Sequence, residues 1–158
     1  MDKGTYALVM ALKSDAAIVV GKLGRFIFTA GYYVYFGSAR AGLSARVCRH
    51  LKREKRLHWH IDYLTQSAEV MEVWYAPEGA EVEWGVRKKE CLWCQVGRGM
   101  PQGRIPVPGF GSSDCRCPAH LVYFPSPPSF EIFRQMLDER GYGAQKASPI
   151  DFKRRMVD

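Results

Sequence analysis

With 158 residues, 47% of them hydrophobic, the chain is the size of one globular domain and long enough to bury a sizeable core. Its formal net charge of +7 favours a polyanionic partner, because clustered Lys and Arg neutralise phosphates and release counterions, although charge alone does not separate nucleic acid from a membrane surface. The first apolar run is broken by Lys13, Ser14 and Asp15, and the five cysteines are an odd number, so a secretory signal and a disulfide framework are both disfavoured; the expectation is a cytoplasmic protein with reduced thiols or metal ligands.

Residues 5–12 form a run apolar enough for a buried strand, ended by the polar turn at 13–15. Short strands follow at 17–20, 25–29 and 32–36, with no room for crossover helices between them, which implies antiparallel pairing. At Ala41 the character changes. Leu43, Val47 and Leu51 recur at helical spacing among Arg46, Arg49, Lys52 and Arg53, predicting an amphipathic and strongly basic helix. A second helix or helix-like insertion is expected within 57–70, a strand at 70–77, and a helix within 81–97 that stacks Val86, Glu90 and Cys94. Residues 97–118 are rich in Gly and Pro and read as an ordered loop, 120–124 as a last strand, and Ser129 as the cap of a short helix stopped by Gly141. The tail 152–155 is basic. The class is α/β in the α+β sense: a small, central, mostly antiparallel sheet flanked by helices.

Three stretches, "GTYAL" at 4–8, "YVYFGSA" at 33–39 and "ARVCRH" at 45–50, resemble the core of the GIY-YIG nuclease superfamily. The resemblance is closest to a branch of small stand-alone proteins, formerly a domain of unknown function, that also occurs fused to DNA glycosylases of the endonuclease III type. That branch carries the further pattern seen here as "KRLHWHIDYL", the Glu90-Cys91 pair and "GFGSSDCRCPAHLVYF". The resemblance implies a nuclease domain over 1–125, built on about three core strands, with a helical and basic extension over 126–158. It also implies cleavage of phosphodiester bonds with one divalent metal ion, Mg²⁺ or Mn²⁺. Carried over residue by residue, Tyr6 takes the place of the tyrosine of the first motif, and Tyr35 with Gly37 that of the second. Arg46 matches the helix arginine, His50 the histidine one turn later in several members, and Glu90 the metal-binding glutamate. Two departures stand out: the first motif reads Gly-Thr-Tyr, and the span from Gly37 to Arg46 is one residue longer than in many members. The asparagine that often completes the site has no counterpart, for the sequence contains no asparagine at all.

These residue types suit phosphodiester hydrolysis. One carboxylate such as Glu90 holds a Mg²⁺ that keeps most of its waters, and the planar fork of Arg46 meets two phosphate oxygens. Cationic neighbours would lower the pKa of Tyr6 from its ordinary value of about 10 and suit it to act as a base. The bland readings are that the tyrosines are plain strand residues and that the basic face is merely solvated. With the resemblance, Arg49, Lys52, Arg53 and Lys55 read as a phosphate-tracking surface. His58, His60 or Asp62 stands in for the missing asparagine if it faces the site, and Ser112, Ser113 and Asp114 belong to a Gly-Ser loop that suits a phosphate. Cys91, Cys94, Cys115 and Cys117 are four potential zinc ligands with His120 to spare. Cys-x-Cys is tight for one tetrahedral ion, so buried free thiols are favoured over structural zinc.

The function expected from these features is a metal-dependent DNA endonuclease. It would nick one strand of double-stranded DNA at a damaged or deaminated base such as uracil, acting as a monomer in repair, away from membranes. The alternatives are a nuclease of flapped or branched DNA and a catalytically silent nucleic-acid-binding module.

Overall fold

The computed structural model describes residues 3–77, 89–113 and 115–157. Its centre is β1 (Gly4–Leu12), which has antiparallel neighbours on both sides: β4 (Gly31–Ala39) and β5 (Glu69–Pro77). β6 (Leu121–Phe124) pairs with β4, and β7 (Gln145–Ala147) pairs with β5, giving a five-stranded sheet in the order β6-β4-β1-β5-β7. The sheet is therefore wider than the three core strands expected. β2 (Ala16–Val20) and β3 (Gly24–Phe28) form a separate hairpin closed by a 3-10 turn at Gly21–Leu23.

β1 is apolar throughout because both faces of the sheet are covered. Tyr6, Leu8 and Met10 point to one face, where they meet Leu43 and Val47 of α1 (Leu43–Leu51), Ile61 and Leu64 of α2 (His60–Leu64) and Phe152 of α5 (Pro149–Val157). Ala7 and Val9 point to the other, beside Phe36 and Trp74, under Trp93 of α3 (Lys89–Arg98) and Phe133 of α4 (Phe130–Asp138). Trp74 stacks on Phe133 with ring centroids 4.8 Å apart. Burying a side chain of this size contributes roughly 1.5–3 kcal/mol, so this aromatic layer is a main anchor of α4.

Glycine and serine set the helix ends, and Ser129 and Gly141 do so as expected. Gly42 caps α1 at φ 148°, a backbone region that favours glycine, and so turns the chain from β4 straight into the basic helix. Ser129 caps α4 by accepting a hydrogen bond from the Ile132 N–H, and Gly141 at φ 83° ends that segment. Residues 126–157, expected as an extension, supply α4, β7 and α5. All three pack against the same sheet. Val86, expected to stack with Glu90, lies outside the described residues; α3 is described from Lys89 onward.

Candidate active site

The antiparallel register sets Tyr6 of β1 opposite Gly37 of β4, on the face that α1 covers. The Tyr6 ring lies across Gly37 so closely that a Cβ there would stand 2.5 Å from the phenolic oxygen. The space above Gly37 is thus taken by the tyrosine ring, which only a glycine at this position leaves room for. Tyr35, two residues earlier on the same strand, lies 6.4 Å from Tyr6 ring to ring. Together with Arg46 of α1, Trp59, His58 and His60 at the start of α2, Glu90 of α3, Ser113 and His120, they line one open cleft of about 410 Å³. β1, β4, α1 and α3 thus each bring to one cleft a residue singled out from the sequence. Glu90 is the only carboxylate on its wall among the described residues.

His50 is not on the cleft wall. It stands behind Tyr6, 2% exposed, with Nε2 2.7 Å from the tyrosine hydroxyl. Burial, reinforced by the positive charge of Lys55, lowers the His50 pKa to about 3, so the imidazole is neutral at pH 7. Tyr6 is raised well above the ordinary phenol value, first by burial and then by the nearby Tyr35; Arg46 pulls the other way and loses. The expectation of a pKa lowered by cationic neighbours is therefore reversed in the protein itself. A protonated Tyr6 donates to Nε2, which leaves the imidazole proton on Nδ1, an atom with no hydrogen-bond partner among the described residues. The Tyr6 oxygen also has the Arg46 side chain, which lines the cleft, as a hydrogen-bond donor.

Arg46 and Arg49 lie one turn apart in part on the same ring: their guanidinium carbons are 4.5 and 4.4 Å from the centroid of Trp59. They differ in what else they do. Arg49 forks onto the fully buried Asp62, with Nη1 to Oδ1 at 2.9 Å and Nη2 to Oδ2 at 3.0 Å. Oδ2 also accepts the backbone N–H groups of His58 and Trp59. These bonds, above all the Arg49 fork, outweigh burial and hold the Asp62 carboxyl below its usual range. Arg49 is thus engaged as a clamp on the 56–62 segment, and Asp62, a candidate for the missing asparagine, is turned away from the cleft. Arg46 donates one bond to the Ser38 carbonyl at 3.3 Å and lines the cleft. The Lys55 ammonium donates to the His50 carbonyl, and the exposed Lys52 and Arg53 flank a different depression beside Lys153. The basic surface expected to continue from Arg46 is accordingly split.

The loop before β6 closes the cleft. Its backbone is fixed by Gly109 N–H to the Pro118 carbonyl and by His120 N–H to the Phe110 carbonyl, both at 2.7 Å. The Gly111 N–H, at a position of φ 73°, donates to His60 Nδ1 at 2.8 Å, which places the proton of a neutral His60 on Nε2. That donor is thereby spent on the histidine and not offered to a phosphate. Ser113 is exposed in the cleft, Ser112 is 7% exposed beneath it, and Asp114 lies outside the described residues.

The cysteines separate in a way their spacing does not announce. Cys94 turns into the core, its thiol donating to the Ala119 carbonyl at 3.0 Å, and burial pushes its pKa up to about 12. His120, the spare, takes the fourth place: the ligand atoms of Cys91, Cys115, Cys117 and His120 all lie within 4.8 Å of one another. His120 Nε2 is 3.3 Å from the Cys115 sulfur and 3.6 Å from that of Cys91. This is a cluster able to hold a metal ion. His120, the spare ligand, thus stands in the cluster where Cys94 does not.

Residues 5–141 match the family model described as "Domain of unknown function DUF123". The chain belongs to this family. No curated protein and no solved structure matches it. The DUF123 span contains every cleft residue named above and the whole Cys/His cluster, while β7 and α5 lie beyond it. Two members of the site were undervalued in the sequence. The place of Trp59 beneath Arg46 and Arg49 is a tertiary contact that no local pattern signals. His120 follows Cys117 by three residues, a spacing compatible with a shared metal ion.

Proposed function

We propose that this chain is a divalent-metal-dependent DNA endonuclease that hydrolyses one phosphodiester bond of a duplex, with a damaged or deaminated base such as uracil as its target in DNA repair. The observation that carries this reading is the convergence of Tyr6, Tyr35, Arg46 and Glu90, from four separate elements, on one cleft. A plain binding surface has no need of that combination.

Arg46 neutralises the scissile phosphate through its fork, and Trp59 holds the guanidinium in place from behind. Tyr6, its phenol proton held by neutral His50 Nε2, orients the attacking water from the cleft wall. The proton lost by the water leaves to solvent through the open cleft, since the buried His50, its pKa lowered to about 3, does not take it. Tyr35 orients the water or a phosphate oxygen. Glu90, the carboxylate on the cleft wall, would hold a Mg²⁺ or Mn²⁺, which would supply charge neutralisation at the phosphate. His58 and His60, both on the cleft wall, stand in for the absent asparagine. The protein acts as a monomer on this reading, and no described helix is long and apolar enough to cross a membrane.

The test is nicking of end-labelled duplexes that are undamaged, uracil-containing, mismatched, abasic or flapped, with Mg²⁺ or Mn²⁺. Cutting of one modified duplex, absent in Glu90→Gln, supports the lesion-directed enzyme and names its substrate; preference for the flap shifts the reading to a structure-specific nuclease. Tight binding with no cutting of any duplex means a silent binding module.

A further inference from the structure

The four clustered ligands come from two segments far apart in the chain. Cys91 is on the first turn of α3; Cys115, Cys117 and His120 belong to the loop that leads into β6. No disulfide joins any of them, and all five cysteines are free. Their setting is prepared on both sides. The His120 backbone is pinned by its N–H to Phe110 and by its carbonyl, which accepts the Phe36 N–H of β4 at 2.9 Å, so the imidazole is presented from a rigid point. The side chain is 3% exposed. Cys94, which also belongs to α3, points into the core and leaves the cluster to the other three thiols.

Three sulfurs and one imidazole nitrogen are the donor set of a closed tetrahedral zinc site. With Zn–S bonds of about 2.3 Å, ligand atoms of a tetrahedron stand about 3.8 Å apart, so a cluster already confined within 4.8 Å needs only a small contraction. Soft thiolates exclude Mg²⁺ and Mn²⁺, which prefer carboxylate and water. We infer that Cys91, Cys115, Cys117 and His120 bind one Zn(II) that clamps α3 to the loop before β6. Binding forms three Zn–S bonds and one Zn–N bond, breaks three S–H bonds and releases those protons to solvent. Four protein ligands leave no open position, so the ion is structural. Its place gives it a second consequence: Cys91 follows Glu90, and Cys115 lies two residues from Ser113, so one ion fixes two walls of the cleft. The zinc site stands or falls independently of the endonuclease reading.

The full chain, purified under reducing conditions, is expected to retain about one equivalent of Zn(II). Exchange for Co(II) is expected to give thiolate-to-cobalt charge transfer and the intense visible bands of a tetrahedral centre. Chelation is expected to lower Tm by more than about 5 °C. Cys94→Ala keeps the metal, whereas Cys117→Ala loses it or falls to a weakly held fraction. A wild-type chain that holds no zinc and gives no thiolate band with added Co(II) overturns the site, even if the Cys117 variant fails to fold. Retention of a full equivalent by Cys117→Ala, or loss of metal by Cys94→Ala, overturns the ligand set.

Discussion

The Tyr6 hydroxyl and His50 Nε2 meet at 2.7 Å, both rings buried, across 44 residues of sequence. This contact ties the first strand to the basic helix at the point where the cleft begins. It gives the histidine one turn after Arg46 a different place from that expected: His50 touches no cleft surface and acts only through Tyr6.

Removing the hydroxyl separates the two roles of that bond. Tyr6→Phe keeps the ring over Gly37 and leaves Nε2 without its donor, which should cost about 1–3 kcal/mol in chemical denaturation. Nicking of the preferred duplex should fall at least about 10²-fold, while DNA binding changes little. Wild-type nicking by Tyr6→Phe would remove Tyr6 from the chemistry and leave the contact purely architectural.

The same histidine makes stability depend on pH in a definite window. His50 titrates at about 3 in the folded protein against 6.5 in a free chain. Between those values the unfolded state binds more protons, so stability rises with pH there, is fully present above 6.5 and is lost as pH falls toward 3. The loss from His50 alone is at most about 5 kcal/mol. His60, whose pKa burial also lowers, adds in the same sense, whereas the clamped Asp62 gives way only as pH falls through its own lowered value. Denaturation at pH 7 and pH 4.5 should show a marked fall for wild type and a smaller one for His50→Gln. Equal falls in the two proteins would mean that His50 is solvated in the folded state.

Much of this arrangement was legible beforehand, and the limits are physical. β1 announces itself by an unbroken apolar run, β4 by its tyrosines, Val34 and Phe36, and α1 by Leu43, Val47 and Leu51 at helical spacing. β7 is only Gln145–Ala147 and owes its existence to pairing with β5, so no local pattern signals it. The convergence of Tyr6, Arg46 and Glu90 followed from resemblance and not from spacing. The reversal of the Tyr6 pKa was hidden because burial is a tertiary property: a neighbouring arginine is visible in the sequence, and desolvation is not. The engagement of Arg49 by Asp62 was hidden for the same reason, since a basic helix face looks equally free whether or not a buried carboxylate waits beneath it.

Gly37 tests the packing behind the tyrosine. An alanine methyl at this position would stand 2.5 Å from the Tyr6 oxygen and 2.6 Å from its ring carbon Cζ, distances that demand movement of a ring held by a buried hydrogen bond. Gly37→Ala is expected to cost about 1–3 kcal/mol through overpacking and to break the contact with His50. A variant with wild-type stability and an undisplaced Tyr6 in its crystal structure would contradict the packing described.

Asp62 tests whether the Arg46 site is built from behind. Its carboxylate binds both arms of Arg49 and the N–H groups of His58 and Trp59, and the Trp59 ring in turn carries the guanidinium groups of both Arg49 and Arg46. Asp62→Asn keeps the size and removes the charge, so at least one of these donors loses its acceptor. Leaving a partner of a buried ion pair uncompensated costs about 3–5 kcal/mol; the 29% exposure of the Arg49 side chain places the expectation at the lower end. Backbone amides at 58 and 59 should exchange faster with solvent, because their acceptor has been weakened. Arg46 then loses a fixed aromatic surface and should lose phosphate positioning with it, so single-turnover nicking should fall more than DNA affinity does. Unchanged amide protection in Asp62→Asn would show that the segment is held by packing alone, and the clamp would have no part in placing Arg46.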